Sequence, residues 1–319
     1  MRSKKIITAM VAILAASLAL TGCSNGDEDR QSAPKRTEIK SIGLMVQDMS
    51  NPFFSSMDKE AKKEAKRIGA RLNVQDAQLD LATQDNQISA FIEQNVDLII
   101  VSAVDESGLQ PAIKRARDAG IIVVAVDTPA KGADAIVTTD GVQAGQLSCS
   151  YLSEKLEGKG NILIVDGTPI QTITDRIKGC KQALKKYPGI KVVAQQASKN
   201  DRATGLTVTT DMLTANKDVQ GIFGMNDPSA LGAALAVEQA GRQDQIIVTG
   251  IDASPQGVDE LKRAGSPFIG AATQNPRAMV DQAVKFAQDK VKGKTPKKTT
   301  ILIPSEMITR DNVNKYKGW

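Results

Sequence analysis

The sequence predicts an α/β protein of two doubly wound lobes, each built around a parallel sheet. Three observations predict it. From residue 41 onward, apolar runs of about four to six residues alternate with amphipathic stretches of about ten to eighteen. Runs such as Leu98-Ile99-Ile100-Val101 and Ile121-Ile122-Val123-Val124 are apolar without alternation, as strands covered on both faces of a parallel sheet must be. About eleven such runs are spread over roughly 280 residues, which is long for one core. Two sets of five or six strands fit that length better than the eight strands of a TIM barrel.

The chain starts with a segment that reads as a leader. Met1-Arg2-Ser3-Lys4-Lys5 is basic and residues 6–20 are apolar, shorter than the roughly 20 residues that cross a bilayer. Residues 1–22 therefore read as a secretory signal. Leu20-Thr21-Gly22-Cys23 resembles a bacterial lipobox, which predicts a lipidated Cys23; an ordinary signal with a chance cysteine is the alternative. Residues 23–38 carry Ser, Asp, Glu, Arg and Gln and almost nothing apolar, so they read as a flexible tether. The folded part begins near Ile39.

The first set of strands is expected at 41–46, 71–76, 97–102, 121–126 and 135–139. The second is expected at 161–166, 190–195, 219–223, 245–251, 267–273 and 300–303. Between them lie helical patterns. In the first, Phe54, Met57, Ala61, Ala65 and Ile68 recur at spacings of three and four, which places them on one helix face. Cys149 and Cys180 fall in consecutive helices on either side of one strand, and after export they meet an oxidising compartment. A disulfide and two buried thiols both remain open, because spacing does not fix their distance.

Composition excludes several chemistries. The chain has no histidine, which removes Ser-His-Asp and Cys-His nucleophile activation and the commonest zinc and iron ligand. No metal and no cofactor is expected. Without Arg2, Lys4 and Lys5, the 41 basic residues become 38 against 36 acidic ones. Lys59, Lys62, Lys63 and Lys66 sit on a solvated helix face, and no basic cluster interleaves with aromatics, so nucleic acid is not an expected partner.

The ends of the strands carry the functional signal. Gln47-Asp48-Met49-Ser50-Asn51-Pro52-Phe53-Phe54 follows the first strand and Asp127-Thr128-Pro129 the fourth. In the second set come Asp166-Gly167-Thr168-Pro169, Asn226-Asp227-Pro228, Asp252-Ala253-Ser254-Pro255 and Gln274-Asn275-Pro276. Each site alone reads equally well as a helix cap with Pro in the first turn. Six of them at the carboxyl ends of parallel strands point to ligand binding, because that edge is where open α/β sheets hold ligands. Amides and carboxylates pair with vicinal hydroxyls, and Phe53 and Phe54 offer an apolar face for the C–H side of a sugar ring. One of the two rings is expected in the core and one at the ligand.

These residues also carry a resemblance. Ser50-Asn51-Pro52-Phe53-Phe54, Asn226-Asp227-Pro228-Ser229-Ala230-Leu231-Gly232-Ala233 and Thr249-Gly250-Ile251-Asp252-Ala253-Ser254-Pro255 resemble the ribose-type periplasmic sugar-binding proteins along the whole chain after the tether. The resemblance implies a type I periplasmic binding fold whose lobes are joined by a three-segment hinge near Asp140, Gln274 and Thr299. Residues 39–139 plus 275–299 would form the N-terminal lobe, and 140–274 plus 300–319 the C-terminal lobe. It implies hydroxyl ligands at Asn51, Asp127, Arg176, Asn226, Asp252 and Gln274 and ring packing at Phe53 and Phe54. Gln47, Thr128 and Asn200 complete the expected ligand set. A helix-start ion pair with Asp175 is the structural alternative for Arg176.

Three departures bear on the ligand: Thr128 stands where the ribose binders carry Arg, Asn200 and Ile251 where they carry aromatics, and Ser102 where they carry Asn. Ribose itself is therefore not singled out, and another pentose, a hexose or an acyclic polyol fits as well. The implied function is an extracytoplasmic solute-binding protein, not an enzyme, that captures a monosaccharide or polyol and hands it to the permease of an ABC importer. A chemoreceptor is a further implied partner, the state is expected to be monomeric, and the membrane is met only through the lipid anchor at the periplasm or cell surface. Two rival readings stand beside it. A sugar-responsive regulator would carry a helix-turn-helix where the leader stands. A secreted carbohydrate-acting enzyme could use Asp127 and Asp252 as paired carboxylates, yet no Gly-x-Ser-x-Gly, Walker or Gly-x-Gly-x-x-Gly motif supports it.

Overall fold

The computed structural model describes residues 36–294 and 298–319. The leader, Cys23 and most of the tether lie outside the described residues. In the first sheet, β1 (Ser41–Val46), β2 (Arg71–Asp76), β3 (Leu98–Val101), β4 (Ile122–Val126) and β5 (Ala135–Thr139) are parallel. The second contains β6 (Lys159–Asp166), β7 (Gly189–Ala197), β8 (Gly221–Gly224), β9 (Ile247–Asp252) and β10 (Phe268–Thr273), also parallel. Each sheet has six strands, with orders β11-β5-β4-β3-β1-β2 and β12-β10-β9-β8-β6-β7, where β11 is Thr300–Ile303 and β12 is Met307–Thr309.

Helices cover both faces of each sheet, which is why the central strands are buried throughout. On one face of the first sheet, α1 (Pro52–Ile68) and α9 (Pro276–Val291) supply Met57, Ala61, Met279, Val280 and Val284. On the other, α2 (Leu81–Glu93) and α3 (Gln110–Asp118) supply Ile88, Phe91 and Ile113. In the second lobe α4 (Gly141–Lys155) and α5 (Gln171–Leu184) pack on one face. There α6 (Arg202–Ala215), α7 (Asp227–Gln239) and α8 (Pro255–Lys262) cover the opposite face.

The chain passes between the sheets after β5, after β10 and between β11 and β12. The last crossing corrects the expected lobe boundary. Residues 300–303 do not belong to the second lobe: β11 pairs in parallel with β5 of the first sheet, from Thr300↔Ile136 to Ile303↔Thr139. The third crossing therefore falls at about residues 304–306 rather than at Thr299. The physical reason is pairing: β5 would otherwise be an open edge, and the four residues of β11 satisfy its unpaired backbone groups. The short β12, antiparallel to β10, is too brief to show any periodicity in the sequence.

In the second lobe, α4 and α5 cross in unusually close contact. A side chain on Gly145 would collide with the carbonyl of Arg176, and one on Gly179 with the carbonyl of Val142. Only glycine permits that approach. One turn beyond Gly145, the helices are joined by Cys149–Cys180, with Cα atoms 5.0 Å apart. Of the two cysteine readings left open by the sequence, the disulfide is the one the structure contains.

Candidate functional site

The strand-end residues divide into those spent on helix caps and those held free of them. Asn51 caps α1, its Oδ1 accepting from Phe53 N at 3.0 Å. Asn226 caps α7, accepting from Ser229 N at 2.9 Å, while its Nδ2 donates to the carbonyl of Asn200 at 3.0 Å. Ser254 and Asn275 cap α8 and α9. Neither Asp127 nor Asp252 is the N-cap of a helix, although Asp252 Oδ2 accepts from the first N–H of α7. The Pro129 that follows Asp127 starts no helix, because the chain turns into β5 instead.

Backbone strain marks the uncapped group. Asp127 has φ 59°, Asp252 φ 137° and Ala253 φ 50°, and Asn200 has φ 67°. Positive φ is costly for residues with a Cβ and persists where surrounding bonds hold it. For Asp127 those bonds are its N–H to Val137 O at 2.9 Å and its carbonyl, which accepts from Thr138 Oγ1 at 2.7 Å.

Four predicted residues line one cavity of about 410 Å³ between the lobes: Gln47, Asn51 and Phe54 from the first, Asn200 from the second. Gln47 is held from the ends of β3 and β4, its Nε2 donating to Ala103 O and Thr128 Oγ1, both at 2.8 Å, and to Ser102 Oγ at 3.2 Å. Asn200 Oδ1 accepts from Thr168 N at 2.9 Å. Of the two phenylalanines, Phe54 lines the cavity. Phe53 stands edge-on to it at 5.4 Å and turns instead to Trp319, edge-on at 5.8 Å.

The other predicted residues form a buried polar group. Gln274 joins the lobes: its Nε2 donates to Asp252 Oδ1 at 2.7 Å and its Oε1 accepts from Thr139 Oγ1 at 2.9 Å. Arg176 does not pair with Asp175, which accepts from Gln171 instead. Its Nη1 donates to Met225 O at 3.1 Å and stands 3.7 Å from Asp252 Oδ1. The buried Nε of Arg176 finds no acceptor among the described residues. Arg176 and Gln274 also border a small cavity of about 130 Å³ at the hinge, with Thr139 and Asp140.

Sequence reasoning missed one member of this group. Asp227 is fully buried, accepts from Ser254 N and Oγ at 2.7 Å each, and donates its own N–H to Asp252 Oδ2 at 3.2 Å. Its Oδ1 has no donor among the described residues. An acid in the first turn of a helix looks like dipole compensation, so nothing in the sequence set it apart.

Three buried carboxylates thus share the influence of Arg176. Burial pushes Asp127 up to about 6, an effect that Arg176 reduces and the charge of Asp252 increases. Asp227 is raised well above the ordinary range by burial and by Asp252. Asp252 is raised by burial against the opposing pull of Arg176 and Gln274. The arrangement can accept and donate many hydrogen bonds at once, the requirement for gripping a small polyhydroxylated molecule. Among the described residues no group of three metal-ligating side chains occurs and no helix is long and apolar enough to cross a membrane. Ile251, one of the departures from the ribose-type pattern, is buried in the second-lobe core and lines neither cavity described above.

A family profile described as a periplasmic binding protein domain matches residues 42–295. The ribose import binding protein of Bacillus subtilis is 29% identical over 308 residues, covering 95% of this chain and 99% of that protein. The xylitol-binding protein of Mycolicibacterium smegmatis is 33% identical over 313 residues, 97% of this chain and 86% of the relative. Among solved structures, an ABC transporter solute-binding protein from Actinobacillus succinogenes with bound D-allose superposes with a TM-score of 0.83 at 29% identity. The match covers 87% of this chain and 100% of that one.

Proposed function

The chain belongs to the periplasmic binding protein family, and we propose that it captures a monosaccharide or polyol between its lobes and delivers it to an ABC importer. The observation that carries this reading is the cavity of about 410 Å³ lined by amides of both lobes and by the Phe54 ring. The buried Asp127–Arg176–Asp252 group between the lobes supports it. Relatives named for ribose and xylitol, and a similar structure that holds D-allose, agree with that chemistry.

In this reading Gln47, Asn51 and Asn200 meet hydroxyls at the cavity wall, and Phe54 packs against the C–H face. Asp127 and Asp252 accept from vicinal hydroxyls, and Arg176 donates through its rigid fork. Gln274, Thr128 and Phe53 hold these groups in place. Asn226, whose oxygen caps α7, acts through the Asn200 carbonyl rather than as a free hydroxyl partner. Ligand touching both lobes favours their closed arrangement, which is a population shift. Hinge closure around ligand is the established behaviour of periplasmic binding proteins as a class, and it is carried over here from the family. Binding, closure and handover make the whole cycle, with no bond made or broken. Export with a lipid anchor at Cys23, a monomeric state and a chemoreceptor as second reader of the closed form belong to the same proposal.

The test is a thermal-shift and calorimetric screen of the protein lacking residues 1–35 against pentoses, hexoses, inositols and acyclic polyols. A ligand at a hundredfold excess over its dissociation constant raises stability by about 2.7 kcal/mol. A single class of hits, recovered chemically unchanged, is the expected outcome. Turnover of the hit, or silence across the panel from a folded protein freed of carried-over ligand, would overturn the reading.

A further inference from the structure

The segment after β12 leaves one lobe and ends in the other. Val313 lies in the core of the second lobe, Tyr316 packs against the cores of both, and Trp319 is buried in the core of the first. Three apolar residues at intervals of three thus step from one lobe to the next. The last of them makes two directed contacts. Its indole Nε1 donates to the carbonyl of Asp252 at 2.9 Å, and its ring meets Phe53 edge-on at 5.8 Å and 88°. Phe53 meets Phe54 in the same way at 5.4 Å and 80°, and Phe54 is a wall of the cavity. A run of three edge-to-face rings therefore leads from Trp319 to the cavity. The indole N–H meanwhile reaches the strained residue whose carboxylate faces Arg176 and Gln274. Burial and the nearby charges of Asp227 and Asp252 push the Tyr316 hydroxyl well up.

We infer that Trp319 is a positioning residue of the cleft, a seam that ties the Phe53–Phe54 wall of the first lobe to Asp252 of the second. It sets the angle of the aromatic wall and adds to the stability of the closed arrangement. This role rests on the proposed capture of a sugar or polyol between the lobes. A buried indole with a satisfied N–H and an aromatic neighbour fixes its surroundings more strongly than an aliphatic residue of similar size, because both contacts are directional. The chain contains one tryptophan, so its emission reports this seam alone.

The experiment compares the wild type with Trp319→Leu and Trp319→Phe, using D-ribose, D-allose, myo-inositol and xylitol as probes. Trp319→Leu is expected to weaken binding of the ring sugars about tenfold, as loss of one hydrogen bond and one aromatic pair predicts. Acyclic xylitol, which presents no ring face, should lose less, and Trp319→Phe should fall between. Equal affinities in all three proteins would remove the positioning role, and equal losses for ring and acyclic probes would overturn the hold on the aromatic wall, in both cases leaving the capture of sugars intact. Should no probe bind the wild type, the capture reading fails, and the seam is still decided in the ligand-free protein. Small-angle scattering should then show Trp319→Leu with a larger radius of gyration than the wild type. Identical profiles would dismiss the seam.

Discussion

The carboxyl ends of the two sheets face each other across the cleft but are built by opposite means. The first lobe brings two phenylalanine rings, a Gln47 amide anchored to the ends of β3 and β4, and one buried carboxylate, Asp127, besides the half-exposed Asp48 at the cavity wall. Its edge is mostly neutral and is fixed by packing. The second lobe brings Asp227, Asp252 and Arg176, all buried, and its edge is fixed by charge and by covalent structure. The helix that presents Arg176 is locked to its neighbour by two glycine contacts and the Cys149–Cys180 bond, one turn away. Each lobe is therefore vulnerable in its own way. An apolar wall degrades gradually when trimmed, whereas a buried charge group fails abruptly when one member is removed.

That contrast is sharpest at Arg176. Arg176→Ala strips the shared cation from three buried acids, and removal of one partner from a buried charge group costs about 3–5 kcal/mol. Urea denaturation should show that loss, and calorimetry should show sugar binding abolished. Arg202, which unlike Arg176 lines the interlobe cavity of about 410 Å³ and is exposed, should leave stability in urea nearly unchanged when replaced by Ala. A comparable loss at both positions would erase the distinction between buried and exposed charge.

Next is the covalent lock. Replacing both Cys149 and Cys180 by Ser should lower stability by about 2–4 kcal/mol, the usual range for a loop of this length. If α5 also owes its placement to the bond, affinity should fall beyond what unfolding explains. Unchanged affinity in the folded variant would assign the placement of Arg176 to the glycine contacts alone.

The charge group also makes a prediction with a sign. Asp127 is raised in the folded protein to about 6 from an ordinary value of 3.8. The fold therefore favours its protonated form. Its contribution to ligand-free stability is full below about pH 4 and is lost as pH rises through 6, on the order of 2–3 kcal/mol in all. Asp227 and Asp252 are raised too and act in the same direction. Sugar affinity should run the opposite way, because an ionised carboxylate is a stronger acceptor for hydroxyls than its protonated form. Melting curves and calorimetry between about pH 4.5 and 7.5 should show stability falling while affinity rises, and Asp127→Asn should be more stable than the wild type at the upper end of that range. Parallel trends in the two quantities would count against the assignment.

The smallest effects separate caps from ligands. Asn51→Ala and Asn226→Ala each remove a helix cap, worth about 1 kcal/mol of stability. Only changes that disturb the cavity wall should also move affinity, Asn51 directly and Asn226 through the carbonyl of Asn200. Loss of stability with intact affinity at Asn51 would reduce it to punctuation.

Much of the candidate site was legible because it lies at strand ends, and strand ends announce themselves. Polar residues followed by Pro after an apolar run put Asn51, Asp127, Asn226, Asp252 and Gln274 at one edge from residue order alone. Which of them serve as caps was not legible. Asn, Asp and Ser occur in both roles, and only the local φ, ψ and the reach of each oxygen separate Asn226 from Asp252. Asp227 and Trp319 were hidden for different reasons. The first looked like an ordinary first-turn acid, and the second belongs to no periodic element.

Residue order alone carried the local grammar: nearly every strand to within a few residues, the alternation with helices, the two parallel sheets and the sugar-binding family likeness. Those follow from apolar periodicity and turn chemistry, which act over a few residues. Whatever depends on partners far along the chain was settled by folding. Residues 300–303 joined the first sheet because β5 needed an edge partner, Cys149 met Cys180 across a glycine crossing, and three acids gathered around Arg176. Trp319 was carried into the opposite lobe in the same way. Hydrogen-bond pairing, side-chain packing and desolvation are set by neighbours in space, so these features became visible only once the chain was folded.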